Sequence, residues 1–295
     1  MTSKPIRILL GLVLVVVALV VVVRLLDSGL APVPVLPNPN GHADFVQAGK
    51  ALVGKVPDVK TATLDELRSF VTQNTNALSL VRLGLSKKSR VPVEFTMNYP
   101  AGRLTELSAI KHLALALAAE GRVAELEQRT NDALTACIDA VRLGHEASRG
   151  GLMIDKLVGI ACEAIGLNRL ESLADGLPAG ECRRVVRALE PVDQQGESPE
   201  EVLRMERTWS RRSTGLAGRI AILMQSRTIR AAEQNLVQRC RQRELQRRTL
   251  MLALAIRAHE TENGKKPENH SALVPQYLSS IPVDPFTGTS LSLTP

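Results

Sequence analysis

Aromatic residues are nearly missing from this chain: one Trp, two Tyr and four Phe, 2% of 295 residues. A core short of rings must be filled by Leu, Val, Ile and Ala. That suits helices packed through small side chains better than a β-sandwich, whose strands draw on aromatic and β-branched residues in alternation. The predicted class is mainly α. Cysteine is scarce too: Cys137, Cys162, Cys182 and Cys240 lie far apart with no C-x-x-C pair, which argues against a zinc ribbon and a thioredoxin-like redox motif. In an oxidising compartment the four permit three pairings, between which sequence does not choose. The other reading makes Cys137 and Cys162 small buried hydrophobes on helices.

Catalytic signatures are lacking as well. His145-Glu146 has no second histidine four residues on, where Arg149 stands, so the metalloprotease helix pattern fails. No serine sits in G-x-S-x-G. Arg149-Gly150-Gly151 lacks both a preceding strand and the G-x-x-x-x-G-K pattern of a phosphate loop, and reads as a helix break. Asp155 and Glu163 are eight apart on one predicted helix, roughly 12 Å along its axis. That is too far for a carboxylate dyad, so they read as surface carboxylates or helix-packing partners. No catalytic, cofactor-binding or metal-binding residue is expected. The rival from another class is an enzyme whose site is assembled from dispersed residues such as His145, Glu146 and Asp155.

What the sequence does have is an uninterrupted apolar run, Ile8 to Val23. Carried past a snorkelling Arg24 to Leu26, it reaches the ~17–25 residues that cross hydrocarbon. Lys4 and Arg7 precede it with no acid among them, while Asp27 follows Arg24 closely, so the amino side is expected to stay cytoplasmic. The chain then divides into a cytoplasmic stretch 1–7, a transmembrane anchor 8–26 in the inner membrane, a Pro-rich linker 27–43, an extracytoplasmic or periplasmic helical domain 44–262 and a tail 263–295. A cleaved signal peptide has the same charge order, with small residues at Ser28, Gly29 and Ala31. Pro32 after Ala31 disfavours cleavage there, so the run is read as an uncleaved signal anchor, with processing after Gly29 as the alternative.

Within the body, alternating prolines from Pro32 to Pro39 predict an extended spacer. Asp44 is the expected cap of a short helix stopped by Pro57. Thr63 with Glu66 forms a capping box before one helix reaching Val81. Val91 to Phe95 reads as an extended segment, its proline arguing against a central strand. Leu104 to Leu126 and Ala133 to Val141 carry helical periodicity across a short polar turn, giving a helical hairpin of tetratricopeptide type with no second copy at the ~34-residue period. Further helices are expected over Leu152–Leu173 and Ala179–Leu189, the latter closed by Pro191. Ser198-Pro199-Glu200-Glu201 opens a long helical segment that runs to Asn263, with a break at Gly215 or Gly218.

That last segment concentrates the positive surplus of a chain with net charge +7. Its arginines, Arg239, Arg241, Arg243, Arg247 and Arg248 foremost, are the candidate contact for a protein partner or an anionic surface, or else a solvated helix face. Nucleic acid is not expected, since no aromatic platform beyond Trp209 and no recognisable module accompany them.

The carboxyl end is turn-rich. Asn263-Gly264-Lys265-Lys266-Pro267, Leu273-Val274-Pro275-Gln276-Tyr277-Leu278 and Ile281-Pro282-Val283-Asp284-Pro285-Phe286-Thr287-Gly288 together resemble the tail of type II secretion pseudopilin G-like proteins. That resemblance implies a leucine/tyrosine pair packed on the preceding helix and a D-P-F-x-G turn leading to a last strand; Phe286 can lie back on the helix as well. The chain departs from that family at its amino end, which lacks the G-F-T-L-I-E motif, and in having Asp284 alone where a calcium cage would need several acids. Asn38-Pro39-Asn40-Gly41, Asp44-Phe45, the break at 149–152 and the tail also resemble a group of membrane-anchored proteins of planctomycete type, a likeness that implies no activity. The sequence thus points to a membrane-anchored envelope protein acting as a structural or interaction component, with a secretion-system subunit and an enzyme as alternatives.

Overall fold

The computed structural model describes residues 34–214 and 226–293, together with Val13, Val17 and Pro32. Apart from those two valines the expected anchor lies outside the described residues, as does the break expected at Gly215 or Gly218. None of the described helices is long and apolar enough to cross a membrane. Residues 35–295 form one compact unit, and it is mainly helical. Among the described residues there are nine α-helices: α1 (Gly41–Ala51), α2 (Leu64–Gln73), α3 (Thr75–Leu85), α4 (Tyr99–Leu126), α5 (Thr130–Ser148), α6 (Met153–Ala174), α7 (Ala179–Gln194), α8 (Pro199–Ser213) and α9 (Ser226–Asn263).

Two apolar cores share a central helix pair. One joins Phe45 of α1, Leu67 of α2, Leu78 of α3 and Leu117 of α4 to Leu143 and Ala147 of α5. The other joins Leu134 and Val141 of α5 and Leu167 of α6 to α7, to Leu254 and Ala258 of α9 and to the tail residues Leu273, Tyr277 and Leu278. Helices α5 and α6 therefore face a core on either side. They approach closely because their contact is lined by glycine: a Cβ on Gly159 would stand 2.4 Å from Ser148 Oγ and 2.5 Å from the Gly144 carbonyl oxygen, and one on Gly166 would stand 2.5 Å from the Cys137 carbonyl oxygen.

Several expected boundaries move. The cap of α1 is Asn40, not Asp44: its Oδ1 accepts from His42 N at 3.2 Å and Arg90 N at 3.0 Å, and its Nδ2 donates to Arg90 O at 2.8 Å. Asp44 instead pairs with Lys87 at 2.7 Å. Helix α1 ends at Ala51, well before Pro57. The single helix expected from the Thr63 box is two, α2 and α3, split at Asn74. The buried Asn74 side chain accepts from Val53 N at 2.7 Å and donates to Val53 O and Phe70 O, so a polar clamp to the segment after α1 outweighs helix continuity. Helix α4 starts at Tyr99, and Leu104, expected inward, is 55% exposed. Pro191 does not close α7, which continues to Gln194. The only intrahelical acceptor it strips of a donor belongs to exposed Arg187, where water can take over.

The tail packs on α9 and α7. Tyr277 lies edge-on to His259 with ring centroids 5.5 Å apart, and its hydroxyl donates to Glu262 at 2.9 Å. After it, Val283 and Ser290 make an isolated antiparallel bridge, with no longer strand among the described residues. Phe286 is 46% exposed, at the edge of a groove with Leu203 and Val237, so it lies back only in part.

Candidate functional site

The charged cavity of the body, about 190 Å³, lies between α5, α6, α9 and the turn from α7 into α8. Two helical stripes build its walls. Lys156, Ile160 and Glu163 recur at four and three residues on α6, and Cys240, Arg243, Glu244 and Arg247 do so on α9, so each set shares one helix face. His145 comes from α5, Asp193 from the end of α7, and Gly196, Glu197, Ser198 and Pro199 from the turn. Ser198 holds that turn in place as the cap of α8, in the capping box with Glu201 that its sequence predicts.

Most of the charge here is spent internally. Arg247, buried, donates from Nη1 to Glu163 at 3.1 Å and from Nη2 to Asp193 at 2.8 Å. Arg248 donates to the other Asp193 oxygen at 2.9 Å, to Glu244 at 2.6 Å and to Val283 O at 2.8 Å. Glu197 accepts from Gly150 N at 3.1 Å, and burial pushes its carboxyl above the usual range. Arg149 donates to His145 Nε2 at 2.6 Å. Burial, then the surrounding cations Arg149, Lys156, Arg247 and Arg142, push the His145 ring down to about 3, so it is neutral near pH 7. Among the described residues Arg243 bonds only to Gln246, and its Nε has no hydrogen-bond partner there. Lys156, 8% exposed, forms no hydrogen bond or ion pair with another described residue.

These distances divide the candidate arginines. Arg247 and Arg248 are structural ion-pair partners, not surface contacts, because α9 lies across α6 and α7 at that level; Arg243 is half-buried at the cavity. Arg239 and Arg241 stay exposed. Asp155 and Glu163, expected as surface carboxylates or helix-packing partners, are 1% and 3% exposed, which excludes the first of the two readings. Nor do His145, Glu146 and Asp155 converge. Glu146 lies beside Arg149 at 3.4 Å in a separate groove with His145. Asp155 belongs to a second buried cluster, where Arg103 donates to it at 2.8 Å, contacts His42 Nε2 at 3.3 Å and pairs with Glu106. That cluster ties α1, α4 and α6 together, and its His42 ring is pushed down to about 3 by burial and by Arg103.

The cysteines are all free. Burial raises the thiols of Cys137 and Cys162 to about 12 and that of Cys240 to about 11, which leaves them inert as nucleophiles near pH 7. Among the described residues no group of three or more His, Cys, Asp and Glu could hold a metal ion.

Sequence reasoning missed Lys156, Asp193 and Arg243 as partners in one site, yet a signal was there. Lys156, Ile160, Glu163, Leu167 and Leu170 follow a four-three spacing, which puts two charged residues on the apolar stripe of α6. In comparisons with protein-family models, curated proteins and solved structures, nothing matches the chain.

Proposed function

We propose that this chain is a membrane-anchored envelope protein, a structural or protein-interaction component with residues 8–26 in the inner membrane, residues 1–7 cytoplasmic and the helical body extracytoplasmic. The charge order around the apolar run supports the topology. The observation that carries the interaction role is the basic first half of α9, where Arg227, Arg230, Arg239 and Arg241 are exposed, Arg227, Arg230 and Arg241 on one side of the helix, while Arg247 and Arg248 further along are tied to carboxylates. Four exposed guanidiniums on one helix segment favour an acidic protein surface, steering its approach and fixing its orientation. Protease added to intact spheroplasts is expected to digest the body, and protection of the body there would reverse the topology. Crosslinking in the same cells is expected to capture an acidic partner that is lost when the four arginines are changed to glutamine. A capture that survives the change removes the role of this face.

A second reading, a subunit related to secretion pseudopilins, rests on the tail, whose Leu273, Tyr277 and Leu278 are buried and whose Asp284 accepts from Phe286 N at 2.7 Å within the D-P-F-x-G turn. The likeness to membrane-anchored planctomycete-type proteins fits the anchored reading and adds no activity to it.

A further inference from the structure

The cavity between α6 and α9 is lined by four carboxylates and three cations, Lys156, Arg243 and Arg247, and the two signs are not matched in contact. Each of its carboxylates, Glu163, Asp193, Glu197 and Glu244, has a donor within hydrogen-bond distance. Two of its cations have no anionic acceptor within hydrogen-bond distance among the described residues. Lys156 is more than nine-tenths buried, lines the cavity and makes no hydrogen bond or ion pair with another described residue, while Arg243 reaches only the neutral side chain of Gln246. A buried cation without a bonded acceptor is costly; Lys156 is in that position, and Arg243 is half-buried in the same lining. A fold that brings both to one cavity is set up for an acceptor from outside. The volume of about 190 Å³ somewhat exceeds the ~150 Å³ of a cavity that takes up benzene, so it suits a molecule of a few heavy atoms. Ammonium and guanidinium together recognise oxygens that carry negative charge, and a guanidinium can hold two of them side by side. His145, neutral near pH 7, adds no charge to this lining.

We propose that this cavity is a binding site for a small oxyanion of the carboxylate or phosphate class, whose oxygens accept from Lys156 Nζ and the Arg243 guanidinium. The site is independent of the membrane anchor and of the basic face on α9. Isothermal titration calorimetry on the full chain in detergent, with inorganic phosphate and separately with succinate at constant ionic strength, is expected to give saturable one-to-one binding for at least one of them and to distinguish the two sources. Lys156→Met and Arg243→Gln should each weaken that binding about tenfold or more, the loss of one charge-assisted hydrogen bond. Exposed Arg241→Gln should bind as the wild type does. Circular dichroism melts identify any variant that has lost its fold, and either of the two variants suffices. Absence of saturable binding for both anions, or equal binding by the folded variants, overturns the proposal and leaves water as the filler of the cavity.

Discussion

At the scale of single residues, Arg247 links three elements through two carboxylates. Its removal leaves Glu163 buried without a hydrogen-bonded cation among the described residues, whereas Asp193 still has Arg248. Arg247→Met is therefore expected to cost about 3–5 kcal/mol in urea unfolding, and adding Glu163→Gln should recover part of that loss, because an uncompensated buried charge is worse than none. His42 and His145 give the body an acid sensitivity of definite sign. Both rings are pushed from 6.5 to about 3, by burial first and then by neighbouring cations. Between those values the unfolded chain binds more protons than the folded one. Their stabilisation is thus fully present above pH 6.5 and is lost as pH falls, by up to ~1.4 kcal/mol per pH unit for each ring. Glu146, Glu197 and Glu206, raised by burial, act in the opposite sense. A His42→Asn/His145→Gln variant retains those carboxylates. Between pH 6.5 and pH 5 the melting temperature of the wild type should fall further than that of the variant, and parallel curves would refute the assignment.

At the scale of elements, the capping boxes at Thr63/Glu66 and Ser198/Glu201 are legible because both partners lie within four residues, and both occur as read. Two of the misjudged helices fail for reasons that lie outside the local sequence. Asn74 breaks a helix to clamp Val53, 21 residues away, and nothing in the local run from Thr63 to Val81 announces that partner. Pro191 stays inside α7 because the carbonyl it orphans belongs to an exposed residue. The contact of α5 with α6 is the most demanding in the body, since glycines let one backbone lie on the other. Gly159→Ala would place a methyl group against Ser148 and the Gly144 carbonyl. It is expected to destabilise by about 1–3 kcal/mol despite the better helix propensity of alanine. A neutral or stabilising result in thermal unfolding would mean that the two helices separate at little cost.

At the scale of the whole molecule, the turn-rich tail is part of the core, for Leu273 is fully buried against α7 and α9. Leu273→Ala is expected to cost about 2–5 kcal/mol and to lower the temperature of the body's unfolding as a whole. A calorimetric trace in which a small early transition splits off would show a tail that melts alone. By itself the sequence determined the helical class and the starts of α2, α6, α7 and α8, because composition, four-residue caps and helical periodicity are local properties of a chain. Only the tertiary structure decided which arginines are surface and which are internal, that Asp155 and Glu163 are buried in different clusters, and that Lys156 and Arg243 line one cavity. The reason is that a charge on an amphipathic helix carries no mark of its partner. Whether it faces water or a carboxylate is set by helices that lie dozens of residues away, such as Glu163 and Arg247, separated by 84 positions.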